Sequence, residues 1–144
     1  MSKALPSTRR EARERALSLL YEAESKQVEP SVVLAELPVP PDPFVVDVVR
    51  GVETHRVEID DLIAGHAIGW TVDRMPVVDR ALLRMATFEL MARPDVPTGV
   101  VISEAVELAT RYSTDESGRF VNGMLATIAG VIRPIPEDGE AGEG

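Results

Sequence analysis

The sequence has no cysteine and few aromatic residues, and each shortage excludes a class of protein. With zero cysteines in 144 residues, neither a disulfide framework nor a thiolate metal site is possible. Aromatic residues are only 4% of the chain, so aliphatic side chains and methionine must build the core. No apolar run approaches the ~20 residues that cross a bilayer, and no apolar segment follows the charged N-terminus as in a secretory signal. We therefore expect a cytoplasmic protein.

Basic residues are also scarce, and they are concentrated at one end. The net charge is −9, yet residues 1–15 carry five basic and two acidic side chains. Arg9, Arg10, Arg13 and Arg15 fall within one predicted amphipathic helix. The backbone of RNA or DNA is the commonest partner for such a patch, although a solvated basic helix face has the same pattern. The acidic remainder argues against nonspecific coating of nucleic acid, so any RNA contact should be local and aided by a partner.

Apolar residues recur at helical spacing along most of the chain. Thr8 with Glu11 fits a capping box at the start of the first helix, and Ser113 with Glu116 suggests a second one. Asp42 and Pro43 suit the N-cap and first position of another helix. Helices are predicted at 8–27, at 32–37, from Pro43 to about 52, from a Thr54 cap to about Gly69, and at 77–93, 100–112 and 120–131.

The segment 77–93 is apolar almost all round, which is typical of a helix at the centre of a fold. No strand alternation, repeat or dividing linker is evident. We predict an all-α fold of about seven helices in a single domain, residues 1–133. The acidic tail, residues 134–144, should be disordered.

No constellation of residues points to catalysis, and no catalytic residue, metal ligand or cofactor site is predicted. His55 and His66 are eleven residues apart, too far to chelate one metal. Glu104 and Glu107 share a helix face without an accompanying nucleophile or base, which favours a solvated acidic stripe.

The remaining candidates are binding features, and each has a bland alternative. Tyr21 lies along the arginine side of the first helix, either as a contact residue or as an aromatic at the edge of the core. Asp79 and Arg80 interrupt the apolar central helix, either as a polar surface for a partner or as an ion network that fixes packing. Arg119 and Phe120 fall at a predicted helix start that favours anions, where Phe120 is either a stacking platform or a core anchor.

Three segments together resemble the NusB family of bacterial transcription antitermination factors. They are RREARERALSLLYEAE at 9–24, VVDRALLRMATFEL at 77–90 and DVPTGVVISEAVELATRYSTDESGRFVNGMLATI at 95–128. One such motif would be weak, but three in the right order and at the right distances are specific. The resemblance covers most of the chain.

The resemblance implies two small packed helical subdomains and no enzymatic activity. It also implies pairing with NusE, a small-subunit ribosomal protein, and joint binding of the boxA element in nascent RNA within the RNA polymerase antitermination complex. The residues that match the family's RNA contacts are Arg9, Arg10, Arg13, Arg119 and Phe120. The residues that match or adjoin positions facing NusE are Tyr21, Asp79 and Arg80.

The sequence departs from the family pattern at two places, and two alternative functions remain open. Glu11 interrupts the arginine run and should lower RNA affinity, and the proline-rich loop 38–43 should alter the packing of the early helices. The chain could instead be a helical protein-interaction module without RNA binding, including a homodimer that covers the arginine edge. It could also descend from the RNA-recognition domain of rRNA cytosine methyltransferases, although it lacks the length and glycine-rich loop of a methyl-donor domain.

Overall fold

The computed structural model describes residues 8–67, 69 and 71–134, and this part of the chain is helical without strands. Within it, seven α-helices are accompanied by one 3₁₀ turn. The helices are α1 Arg9–Lys26, α2 Pro30–Ala35, α3 Pro43–Thr54, α4 Arg56–Ala64, α5 Val77–Ala92, α6 Thr98–Tyr112 and α7 Asp115–Ile132, with the 3₁₀ turn at Val72–Arg74. The all-α prediction is confirmed. The predicted disordered tail lies outside the described residues, apart from Pro134.

Side-chain caps start α1 and α3 as the sequence predicts. The Glu11 N–H donates to Thr8 Oγ1 at 3.0 Å, and the Thr8 N–H donates to the Glu11 carboxylate at 2.9 Å. At α3, the Phe44 N–H donates to Asp42 Oδ1 at 2.8 Å. Both caps satisfy N–H groups that have no partner inside the helix.

Other predicted helix starts and ends are wrong. Thr54 ends α3 instead of capping α4, and α4 ends at Ala64 rather than near Gly69. The N-cap of α7 is Thr114, not Ser113, because Thr114 has extended backbone and its hydroxyl accepts from the Ser117 N–H at 2.9 Å. Helix α7 consequently begins five residues before the predicted Phe120.

The central position predicted for residues 77–93 is confirmed. Helix α5 packs against α1, α3, α4, α6 and α7. On one side α1, α2 and α3 also pack on one another, and on the other side α6 packs on α7. The buried apolar side chains form one continuous cluster across both groups of helices. In the described residues, no helix has the length and apolarity needed to span a membrane.

A glycine sets the close approach of α3 and α5. A Cβ atom built on Gly51 would lie 2.2 Å from Cε1 of Phe88, so the aromatic ring occupies the place of a side chain. Phe88 is itself buried. This contact fixes α3, and therefore the Phe44 at its start, against the central helix.

Candidate nucleic-acid interface

The arginines of α1 have different surroundings because their side chains leave the helix in different directions around its axis. Arg9, Arg10 and Arg15 are exposed, whereas Arg13 is buried with 3% of its surface accessible. Arg13 belongs to the apolar face of α1, together with Ala12 and Ala16. The structure therefore leaves Arg9 and Arg10 on the surface at the start of the helix and places Arg13 beneath them.

Arg13 is held by a carboxylate of the central helix. Its Nε and Nη2 atoms donate to the two carboxylate oxygens of Glu89 at 2.8 and 2.7 Å. Both side chains are almost completely buried, at 4% and 2% exposure. Such a pair keeps both charges compensated in the interior. In this conformation Arg13 is not available to a phosphate, so its predicted RNA contact would require the pair to break.

Arg9 lies over an aromatic ring. Its guanidinium carbon is 4.1 Å from the centre of the Phe44 ring, and the guanidinium of Arg93 approaches the same ring at 5.0 Å. Arg93 also pairs with Asp47 and Asp95 at 2.9 and 3.1 Å. Its hydrogen bond to Asp95 lowers the pKa of that carboxyl. Arg9 is thus an exposed arginine whose guanidinium has a cation–π contact with Phe44.

Arg10 is paired with two glutamates of α6. Its Nε and Nη2 atoms donate to the two oxygens of Glu104 at 3.1 and 2.9 Å, and Nη2 also lies 3.0 Å from Glu107 Oε1. The hydrogen bond to Arg10 lowers the pKa of Glu104 despite partial burial, and that same bond raises the pKa of Arg10. Glu104 and Glu107 are therefore not a merely solvated stripe.

A second arginine extends this contact along the two helices. Arg111 of α6 pairs with Glu14 of α1 and, at 3.3 Å, with Glu107. The Tyr112 hydroxyl also donates to Glu14, at 3.1 Å. We call this set the α1–α6 seam. Its charged members are Arg10, Glu14, Glu104, Glu107 and Arg111.

The two other predicted RNA residues lie on α7. Arg119 is exposed and Phe120 is half-buried. Because α7 starts at Asp115, neither residue is at a helix N-terminus, and the anion-binding argument made for them is wrong. Phe120 instead lines a depression of about 330 Å³ whose wall includes Asp79 and Ser117. The structure thus brings a predicted RNA residue and a predicted partner residue to one depression.

Of the three residues predicted to face a partner, only Tyr21 is exposed, at 49%. Asp79 is buried, where its Oδ2 accepts from the Ser117 hydroxyl at 3.0 Å and its Oδ1 has no hydrogen-bond partner among the described residues. Arg80 is also buried, and it donates to Glu24 at 2.6 Å and to the Met75 carbonyl at 2.7 Å. For Arg80, this geometry matches the alternative of an internal ion network.

The same network continues to the next turn of α5. Arg84 donates to both oxygens of Asp60 at 2.8 and 3.0 Å, and it lies 3.9 Å from Glu24. These pairs link α1, α4 and α5. Among the described residues, no group of three or more acidic, histidine or cysteine side chains is arranged to hold a metal ion.

Sequence reasoning missed the partners of the arginines. Glu89, Glu104 and Glu107 lie 76 or more residues from the arginines they bind, and no local pattern shows such a pairing. One signal was available, since Arg13 and Glu89 each occupy a position that the helical period assigns to a buried face. Two opposite charges at core positions indicate a mutual pair.

Comparison with known proteins gives the same family from sequence and from structure. The model of the NusB family matches residues 10–130. The transcription antitermination protein NusB of Kineococcus radiotolerans is 47% identical over 127 residues, covering 85% of this chain and 93% of its own. The NusB of Thermobifida fusca is 46% identical over 125 residues, covering 84% and 88%.

Solved structures agree with these relatives. T. maritima NusB superposes with a TM-score of 0.78 at 37% identity, covering 87% of this chain and 92% of its own. A structure of antitermination factors NusB and NusE in complex with dsRNA superposes with a TM-score of 0.73 at 28% identity, covering 85% and 96%. By family model, sequence and fold, the chain belongs to the NusB family.

Proposed function

We propose that this protein is a non-enzymatic, RNA-binding transcription antitermination factor that acts with NusE. The relatives that this chain matches over nearly their whole length are antitermination proteins. A structural relative was solved in complex with NusE and double-stranded RNA. The RNA element that we assign to the pair is boxA of nascent, chiefly ribosomal, RNA. Its place of action is the cytoplasm, within the antitermination complex of RNA polymerase.

The observation that supports RNA binding best is the exposure of Arg9 and Arg10 at the start of α1 in an otherwise acidic protein. Guanidinium groups bind phosphate bidentately, and Arg119, which we assign to the same RNA, is exposed as well. A strong, salt-sensitive binder makes roughly 6–10 phosphate contacts, so RNA affinity without a partner should be weak. Docking of NusE would add basic surface. RNA bound to one of the two proteins would then meet the other at a high effective concentration.

The exposure of each residue supports a smaller set of direct contacts than the family resemblance implies. Arg9, Arg10, Arg119 and Phe120 remain proposed RNA contacts, whereas the buried Arg13 is proposed to support them from beneath. Tyr21 remains a proposed contact to NusE. Asp79 and Arg80 would act on that surface indirectly, by fixing α5 against its neighbours, unless NusE reaches into the depression beside Asp79.

Titration of a fluorescein-labelled boxA RNA, with and without NusE, tests the proposal. The double variant Arg9→Ala, Arg10→Ala should weaken binding of the NusE-loaded protein about tenfold or more, since two phosphate contacts are lost. The matched control is Arg50→Ala, which removes an exposed arginine from the body of α3. Unchanged curves for the double variant would refute the RNA assignment.

A second candidate, a protein-interaction module without RNA binding, draws on the pairing of Arg10 and the burial of Arg13. In that case the α1 arginines only organise the fold or a homodimer. Light scattering with and without boxA RNA separates the two functions. A dimer whose mass RNA never changes would favour the module, and a complex of protein, NusE and RNA favours the antitermination factor.

A further inference from the structure

The guanidinium of Arg10 is already occupied in the protein without RNA. Two of its nitrogen atoms donate to the two oxygens of Glu104, in the fork geometry that guanidinium groups use for phosphate as well as carboxylate. Glu107 adds a third oxygen, from a second carboxylate, at 3.0 Å. A phosphate oxygen that approaches Arg10 along this edge meets positions that carboxylate oxygens hold.

In the α1–α6 seam, glutamates outnumber arginines. The α1–α6 seam contains the three carboxylates Glu14, Glu104 and Glu107 but only two arginines. Glutamates are ionised at neutral pH, and hydrogen bonding to Arg10 lowers the pKa of Glu104 further. The seam therefore opposes RNA both by occupying a cation and by presenting net negative charge.

The contact is also one that the fold can lose. Arg10, Glu107 and Glu104 are 48%, 40% and 18% exposed, and ion pairs that water reaches contribute less to stability than fully buried ones. Helix α1 has a separate anchor in its buried apolar face and the Arg13–Glu89 pair, and α6 packs on α5 and α7. Release of Arg10 should thus leave both helices in place.

We propose that Glu104 and Glu107 are an intramolecular competitor for RNA, which must displace them from Arg10 to bind. This inference rests on the proposed function and adds to it two residues that set affinity. RNA that offers only backbone phosphates does not displace the glutamates from Arg10. RNA that is also held by other contacts, such as those supplied by NusE, displaces the two glutamates and binds Arg10. The seam thereby lowers nonspecific binding more than it lowers binding of the assembled complex.

The test is a double-mutant cycle measured by fluorescence anisotropy. The protein variants are Glu104→Gln with Glu107→Gln, Arg10→Ala, and all three together, each titrated with labelled boxA RNA in the presence of NusE. The glutamine pair keeps side-chain shape and removes charge, so the affinity should rise about three- to tenfold, as expected for two partly exposed ion pairs. In the Arg10→Ala background, the same pair of substitutions should change the affinity less than twofold.

Two controls complete the experiment. Glu58→Gln with Asp61→Asn removes two exposed carboxylates from α4 and reports the effect of net charge alone. Urea unfolding of every variant shows whether stability has changed. The single variant Glu107→Gln repeats the binding test with only one of the two carboxylates removed. Its gain should be smaller and equally dependent on Arg10.

The outcomes separate the two proposals. Wild-type protein that binds RNA, with no gain from the glutamine pair, overturns the competitor and leaves the function standing. A gain that persists without Arg10, or that the α4 control reproduces, also overturns it, because general electrostatics would then be the cause. Wild-type protein that fails to bind boxA RNA with NusE overturns the proposed function and the competitor together.

Discussion

Arg10 and Arg13 are three residues apart on α1, and each donates two hydrogen bonds to one glutamate. The Arg10 side chain is 48% exposed and that of Arg13 is 4% exposed. The two forked contacts have the same chemistry and differ in depth, and Arg10 has Glu107 as an additional partner. Water reaches the Arg10 side chain, whereas Arg13 and Glu89 are almost completely shielded from it.

This difference divides the arginine run into a buried and an exposed part. In the interior, breaking an ion pair leaves an uncompensated charge, so the Arg13–Glu89 pair holds α1 against α5. At the surface, an ion pair exchanges readily with water or with another anion. Arg13 thus fixes the position of the first helix, and Arg9 and Arg10 are the arginines that we propose to bind RNA.

The largest expected effect comes from breaking the buried pair. Arg13→Met leaves Glu89 without its partner in the core, and we expect the free energy of unfolding to fall by about 3–5 kcal/mol. Urea unfolding monitored by circular dichroism measures this. Adding Glu89→Met should recover much of the loss, since the remaining charge is removed. A fall of less than about 1 kcal/mol for the single variant would show that the pair is not the anchor of α1.

An ion pair of intermediate depth should have an intermediate effect. Arg84 and Asp60 are 15% and 28% exposed. We expect Asp60→Asn to lower the free energy of unfolding by about 1–2 kcal/mol, between the values for buried and exposed pairs. The neighbouring exposed Asp61 provides the matched control, and Asp61→Asn should change stability by less than about 0.5 kcal/mol. Equal losses from the two variants would contradict the dependence on depth.

The smallest effect should appear as a pH dependence of the exposed pairs. Pairing with Arg10 lowers the pKa of Glu104 from its ordinary value of 4.5. A carboxyl with a lowered folded-state pKa stabilises the fold above its unfolded-state pKa, and this stabilisation disappears as the pH falls through the folded-state pKa.

Thermal unfolding of wild type and Glu104→Gln between pH 7 and pH 3 measures this contribution. The difference in midpoint temperature should be constant above about pH 5 and should shrink toward acid pH, since the variant has no carboxyl to protonate. A difference that grows as the pH falls would contradict the assigned direction.

Periodicity and capping chemistry predicted much of the fold. Helix α5 was identified as central because it is apolar almost all round, and Thr8 and Asp42 were recognised as caps from local sequence. The N-cap of α7 is predicted one residue early because Ser113 and Thr114 are adjacent and both suit an N-cap. Only the backbone angles of the folded loop decide between them.

The candidate site was less predictable because its geometry depends on distant pairs. The helical period places Arg13 three and four residues before the buried Ala16 and Leu17, yet which carboxylates bind the arginines depends on where the fold places α5 and α6 relative to α1. The resemblance to the NusB family assigned all three leading arginines to RNA. It did not distinguish the buried Arg13 from the exposed Arg9 and Arg10.

The most direct test of this division of roles observes the arginine side chains themselves. In ¹⁵N NMR spectra of the protein bound to NusE, boxA RNA should shift the Nε–H resonance of Arg10 as it changes from carboxylate to phosphate. The Nε–H resonance of Arg13 should remain unshifted and protected from exchange with solvent. A shift or loss of protection at Arg13, with Arg10 unchanged, would contradict the account.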